Sequence, residues 1–266
     1  MAGLPRSGST LLSALLGQRP DLYAPGITNT PALLEAVNTT MQGDEGWQLG
    51  TNHRQHDNAM RGLLPLLYRD RDEPVILDKS RLWGIPYYVD MATQVLGRPP
   101  KIIAPVRPLD EIVASFIRLC RVNPGNFLDA GMKAGNISSQ YRKPLDDARV
   151  DTLLMPNEHI GLSMLSLHAA YQPQTAHLFH VVNYADLTDD PVKALRGVEE
   201  FLGLDPFDYD LAHIEGVAYN DAALGMAGMH EVRPTIARRD PAPNEVLSEY
   251  ALQRCRLEDF WTGRER

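Results

Sequence analysis

Apolar and polar positions along this 266-residue chain follow two alternating patterns. Short unbroken apolar runs, PVILD at 74–78, KIIAPV at 101–106 and LFHVVNY at 178–184, read as strands of a parallel sheet buried on both faces. Between them lie stretches of helical period. Leu11, Leu12, Leu15 and Leu16 form one stripe over 10–16, with Gly17 expected as its C-terminal cap. Ile112, Val113, Phe116, Ile117 and Cys120 form another over 109–121, and 158–171 reads as a further helix. Asp190-Pro191 supplies a capping acid and a first-turn proline for a helix that ends at Gly203. Residues 1–5 read as a short strand leading into a glycine-containing loop. Strand–helix alternation of this kind predicts an α/β fold, a three-layer sandwich around a central parallel sheet. Ligands of such sheets bind at the carboxyl ends of the strands. Residues 6, 79, 107 and 184 all fall there. Segments 38–73 and 122–157 are polar and weakly periodic, and are expected to be insertions above the sheet within a single domain spanning 1–266.

Composition narrows the function classes. A net charge of −8 argues against general nucleic-acid or anionic-membrane binding, but permits a local basic pocket for an anionic small molecule. Of the 26 basic residues only Lys79, Lys101, Lys133, Lys143 and Lys193 are lysines. Cys120 and Cys255 give neither a disulfide framework nor a metal-ligand spacing. No apolar run is long enough to span a membrane and no signal-like stretch precedes the loop, so a reducing, cytoplasmic setting is expected. The Asn-x-Ser/Thr triplets at Asn38 and Asn136 are then chance matches.

The stretch GLPRSGST at 3–10 nearly spells the P-loop pattern G-x-x-x-x-G-K-[ST], but Ser9 replaces the lysine and a basic residue stands earlier, at Arg6. A glycine turn that opens a helix presents free N–H groups and the positive end of the helix dipole to an oxyanion. Ser7, Ser9 and Thr10 add hydroxyl donors, and Gly8 allows the turn. Without the lysine a triphosphate loses its main counter-charge, whereas a less charged group attached to one phosphate fits the planar fork of Arg6.

On these residues the chain resembles the sulfotransferases that use 3′-phosphoadenosine 5′-phosphosulfate (PAPS). GLPRSGSTLL is similar to their 5′-phosphosulfate loop, in the arginine form found in the tyrosylprotein and carbohydrate branches. APVRPLDEIVAS places Arg107 and Ser115 eight residues apart, like the pair that clamps the 3′-phosphate. VVNYADLTDDP is similar to the family's tyrosine-bearing strand end, which implies Tyr184 near the adenine. GMHEVRP resembles the C-terminal basic segment around the 3′-phosphate, with Arg233 as the candidate.

The resemblance implies in-line transfer of a sulfuryl group from PAPS to a hydroxyl or amine, leaving 3′-phosphoadenosine 5′-phosphate, with no metal required. The acceptor is expected to be a small molecule, a carbohydrate or a peptide. Arg6 and Lys79, the latter at a strand end in VILDKSRLW, are the candidates for stabilising transferred charge. The tyrosylprotein branch carries a glutamate where this chain has Gly26 and Ile27, so the base must come from elsewhere. Glu35, His53 and His56 lie nearby in sequence, and His53 is the nominal choice. The His53/His56 spacing also raises a metal site, without an evident third ligand. Two rivals remain: a P-loop kinase with Asp78 holding magnesium, and a nucleotide-binding module without catalysis.

Overall fold

The computed structural model describes residues 1–43, 52–134, 144–236 and 242–263. In chain order it contains α1 (Ser9–Leu16), β1 (Leu22–Tyr23), α2 (Thr30–Gln42), α3 (His53–Leu67), β2 (Val75–Ile76), α4 (Pro86–Leu96), β3 (Ile102–Val106), α5 (Leu109–Val122), α6 (Phe127–Ala134) and α7 (Leu145–Leu153). After these come α8 (His159–His168), β4 (Phe179–Asn183), α9 (Tyr184–Asp189), α10 (Pro191–Leu202), α11 (Pro243–Val246) and α12 (Glu249–Glu258). The strands form two parallel pairs. β1 pairs with β2, Leu22 opposite Val75, and β3 pairs with β4 from Ile102–Phe179 to Val106–Asn183.

Residues 1–4 run between the two pairs. Ala2 N–H donates to Ile103 O at 2.9 Å and Leu4 N–H to Pro105 O at 3.0 Å, while Ser80 N–H donates to Met1 O at 3.1 Å. The expected strand over 1–5 is therefore only half a ladder. The return bond would need an N–H on Pro105, which proline lacks.

β3 is buried along its whole length, as its unbroken apolar run predicts. Ile102, Ala104 and Val106 join the larger core cluster with α4, α5 and α8, while Ile103 joins a second one with α1 and α10. Helix α5 turns Ile112, Val113, Phe116, Ile117 and Cys120 inward, all fully buried. Asp190 caps α10, its side chain accepting from Lys193 N–H at 3.1 Å, and Gly203 closes it with φ 77°.

Three local expectations change. Of the runs expected to be buried on both faces, PVILD pairs only over Val75–Ile76, both partly exposed, and β4 is fully buried only at Phe179 and Val182. Gly17 ends α1 with φ −69°, inside the right-handed region, rather than as a left-handed cap. The helix over 158–171 is shorter, passing into a 3₁₀ turn at Ala169–Tyr171. The described parts of 38–73 and 122–157 are largely helical (the end of α2, α3, α6 and α7). Helix α3 opens with a capping box, Asn52 Oδ1 accepting from Gln55 N–H at 3.0 Å and Gln55 Oε1 from Asn52 N–H at 3.1 Å. Its apolar contacts, Met60, Leu63 and Leu64, come only after two polar turns. Helix α7 buries even Asp147 and Arg149, so it shows no apolar stripe. Residues 44–51 and 135–143, Asn136 among them, lie outside the described residues.

Candidate active site

The chain leaving residues 1–4 turns sharply into α1. Arg6 adopts φ 59°, a left-handed conformation that costs a non-glycine residue about 1–2 kcal/mol, and Gly8 follows at φ 85°. Gly8 is required twice over, since a Cβ there would lie 2.7 Å from the Tyr184 ring. No side chain caps α1, so the first-turn N–H groups have no intrahelical acceptor. Ser7 has a different place from the one its sequence suggests. It is fully buried, and its hydroxyl is taken up by Leu4 O and, at 3.0 Å, Pro105 O. It pins the turn from beneath instead of donating a hydroxyl to a ligand.

Arg6 crosses the site. Its Nε donates to Ser115 Oγ at 3.1 Å, on α5, and its Nη1 donates to Met229 O. Arg107, 4% exposed at the end of β3, is held on several sides. Nε pairs with Glu111 Oε2 at 2.8 Å, the guanidinium lies 4.4 Å over the Tyr184 ring, and Nη1 reaches Arg6 O at 3.5 Å. Its own carbonyl accepts from Trp261 Nε1 at 2.9 Å. Tyr184 thus packs between the glycine turn and Arg107, as the first residue of α9.

Lys79 is 6% exposed and its Nζ lies 3.4 Å from Thr10 Oγ1. Among the described residues no carboxylate forms an ion pair with it. Burial lowers its pKa to about 8.

Arg6, Gly8, Ser9, Thr10, Lys79, Arg107, Ser115, Tyr184 and Arg233 all line one cleft of about 1130 Å³. Arg233 is exposed at its rim. Arg81 and Arg118 add to the cations, against one lining carboxylate among the described residues, Glu231. On a chain of net charge −8 this is a concentrated basic pocket.

His53 is not in it. It starts α3, exposed and away from the cleft lining. His56 meets Asn38 Oδ1 at 2.8 Å, and Glu35 accepts from Tyr88 OH at 2.6 Å, so neither lies in the cleft either. Among the described residues no group of three metal-ligating side chains occurs. Asp78 is turned away from the cleft and saturated: Thr28 Oγ1 at 2.5 Å, Thr30 Oγ1 at 2.6 Å, Trp83 Nε1 at 2.6 Å and Tyr68 OH all donate to it.

Two histidines that the sequence did not single out do line the cleft. His230 Nδ1 lies 2.7 Å from Asp221 Oδ1, and its backbone N–H donates to Asp221 Oδ2 at 2.7 Å. Its ring rests on Tyr219, centroids 4.5 Å apart, and Tyr219 OH accepts from Ile27 N–H at 3.1 Å. Tyr219 also fills the space beside Gly26, where a Cβ would come within 2.9 Å of its oxygen. His159 is held neutral, its pKa pushed down to about 4 by burial and then by Arg81. Their signal is faint: His230 stands inside GMHEVRP beside the more conspicuous Arg233.

No family profile and no curated protein sequence matches the chain. Solved structures do. The sulfotransferase domain from the Synechococcus PCC 7002 olefin synthase superposes with a TM-score of 0.50 at 19% identity, over 95% of this chain and 92% of that one. The fold is that of a sulfotransferase domain. The sulfotransferase domain from the curacin biosynthetic pathway is also similar, with a TM-score of 0.47 at 14% identity over 93% of this chain and 83% of that chain. Within the sulfotransferase fold, the basic cleft sits where residues 1–4, β3 and β4 end, against the first turn of α1.

Proposed function

We propose that this chain is a PAPS-dependent sulfotransferase acting on a hydroxyl acceptor, with the two strand pairs and residues 1–4 serving as one parallel sheet between helical layers of a single domain. The observation that carries the reading is Arg6, which joins the glycine turn to Ser115 while its carbonyl meets Arg107. The glycine turn and the Arg107/Ser115 pair thereby line one cleft. A bound nucleotide with phosphates at both its 5′ and 3′ positions would occupy both.

In this reading the free N–H groups of α1, with Ser9 and Thr10, hold the 5′-phosphate, and Arg107 with Ser115 and Arg233 hold the 3′-phosphate. The acceptor oxygen forms a bond to sulfur as the bond from sulfur to the 5′-phosphate oxygen breaks, the electron pair leaving with that phosphate. Arg6 and Lys79 neutralise charge on the departing oxygen. The acceptor proton passes to His230 Nε2, whose tautomer is set by Asp221 at Nδ1. His230 takes the role that position had suggested for His53, and Tyr219 occupies the room that a carboxylate at position 26 would need. Asp78, saturated by four neutral donors, offers magnesium no free oxygen, which disfavours the kinase reading.

Incubation with donor labelled in the sulfuryl group, without divalent metal, should give labelled product from an alcohol acceptor. Magnesium-dependent transfer of the γ-phosphate of ATP instead would overturn the proposal.

A further inference from the structure

The order of chain segments at the cleft floor divides it in two. Residues 1–4 and the loop they feed lie in the middle, bonded to β3 on one side and to Ser80 on the other. The exits of β3 and β4 bring Arg107 and Tyr184 to one half. On the other side Ile27 bridges to Lys79, Thr28 N–H donates to Lys79 O at 2.9 Å, and the chain continues through Arg81 and Leu82 against α8.

The two halves differ in chemistry. The β3/β4 half is arginine-rich. In the β1/β2 half, Ile27, Leu82 and Leu162 line the cleft as aliphatic side chains among the hydroxyls of Thr28, Ser80 and Ser163, and Ile27 is 51% exposed despite its size. An exposed large aliphatic side chain inside a cleft is a contact waiting for an apolar ligand group. His159 presents a neutral ring there, packed on Phe127 at 4.5 Å. Arg81 is directed to the carbonyl of His159, 3.4 Å from Nη1. No carboxylate lines this half among the described residues; Glu231 belongs to the strip beside Met229.

Sugar sites rely on carboxylates, amides and aromatic platforms, and amine sites on carboxylates; among the described residues this half has one amide, Asn29, and no aromatic wall other than the histidine. Resting on the sulfotransferase reading above, we infer that the acceptor is an apolar aliphatic alcohol, its chain lying against Ile27, Leu82 and Leu162 and its hydroxyl beside Lys79. The sulfuryl group moves to that hydroxyl oxygen, the product is an alkyl sulfate, and the hydroxyl proton goes to the histidine base.

The test is a series of primary alcohols, 1-butanol, 1-hexanol and 1-octanol, against N-acetylglucosamine and a tyrosine-containing peptide, with PAPS as donor. Each added methylene buried against the aliphatic wall should raise kcat/KM about fourfold, so that 1-octanol exceeds 1-butanol by on the order of 10²-fold. Leu162→Asn should lower kcat/KM for 1-octanol about tenfold while leaving the affinity for 3′-phosphoadenosine 5′-phosphate unchanged, and Leu82→Asn should do the same. A flat chain-length series, a better sugar or peptide acceptor, or no turnover of any alcohol by protein that binds the bisphosphate would overturn the acceptor assignment alone. Failure to bind the bisphosphate would instead remove the donor reading on which it rests.

Discussion

The cations on the two sides of the glycine turn are held in opposite ways. Arg107 is braced by a carboxylate, an aromatic face and a backbone carbonyl, and Arg6 by a hydroxyl and a carbonyl. Lys79 is as deeply buried, yet meets one hydroxyl at 3.4 Å and no ion-pairing carboxylate among the described residues. On the proposed reading the braced side receives a permanent charge in a fixed geometry. The unbraced lysine is kept desolvated and electrostatically hungry, which suits a group whose interaction strengthens as charge develops. If that contrast is functional, substitutions on the two sides should separate chemistry from affinity.

The largest effect is expected at Lys79. Lys79→Ala should reduce the single-turnover rate about 10²–10³-fold while changing the affinity for the desulfated bisphosphate far less. An unchanged chemical step would return Lys79 to a structural role. Arg107→Ala should do the reverse, losing about 1.5–3 kcal/mol of bisphosphate affinity with little loss for adenosine 5′-phosphate, as read by calorimetry. Equal losses for both ligands would show that Arg107 does not face the 3′ group.

A smaller effect sharpens the same contrast in stability. Burying an ammonium without an ion partner is unfavourable, so Lys79→Met should raise stability by about 1–2 kcal/mol at pH 7, seen as a higher Tm. The equivalent change at Arg107 should lower it, because it removes a guanidinium that is already ion-paired with Glu111.

The pH dependence follows from the depressed pKa. Lys79 loses its proton at about pH 8 in the folded protein, against an ordinary value of 10.5, so kcat/KM for the donor should fall as pH rises through 8. Stability runs the other way. Between about 8 and 10.5 the unfolded chain holds a proton that the folded one has released, so the contribution of Lys79 favours the fold increasingly as pH rises through that window.

Much of this was legible in the residues themselves. The apolar run at 101–106, the stripes on α1 and α5 and the caps of α10 read correctly because packing and local pattern agree there. What the sequence hid has specific causes. Pro105 removes one ladder bond, which turns the strand at 1–4 into a half-paired segment. Helix α7 buries polar and apolar residues alike from Asp147 to Val150 and at Thr152 and Leu153, and so carries no apolar period. The residues at strand exits meet in one cleft because parallel strands end together. The Ser7 hydroxyl is turned away from it by two carbonyls, one of them on Pro105, a tertiary contact that no local pattern reveals. His53 lies outside the cleft lining because sequence proximity to the loop is not proximity in space. His230 and Asp221 come together through a turn of the chain nine residues long, with nothing in the spacing to announce the pair.

The central claim, that one cleft receives a nucleotide bearing both 5′ and 3′ phosphates, is tested most directly by calorimetric titration of the protein with 3′-phosphoadenosine 5′-phosphate, adenosine 5′-phosphate and ATP–magnesium. The account predicts metal-independent binding of the bisphosphate, at least tenfold tighter than either competitor, since one charge-assisted 3′ contact alone is worth about 1.5–3 kcal/mol. Equal or tighter binding of ATP–magnesium would contradict it.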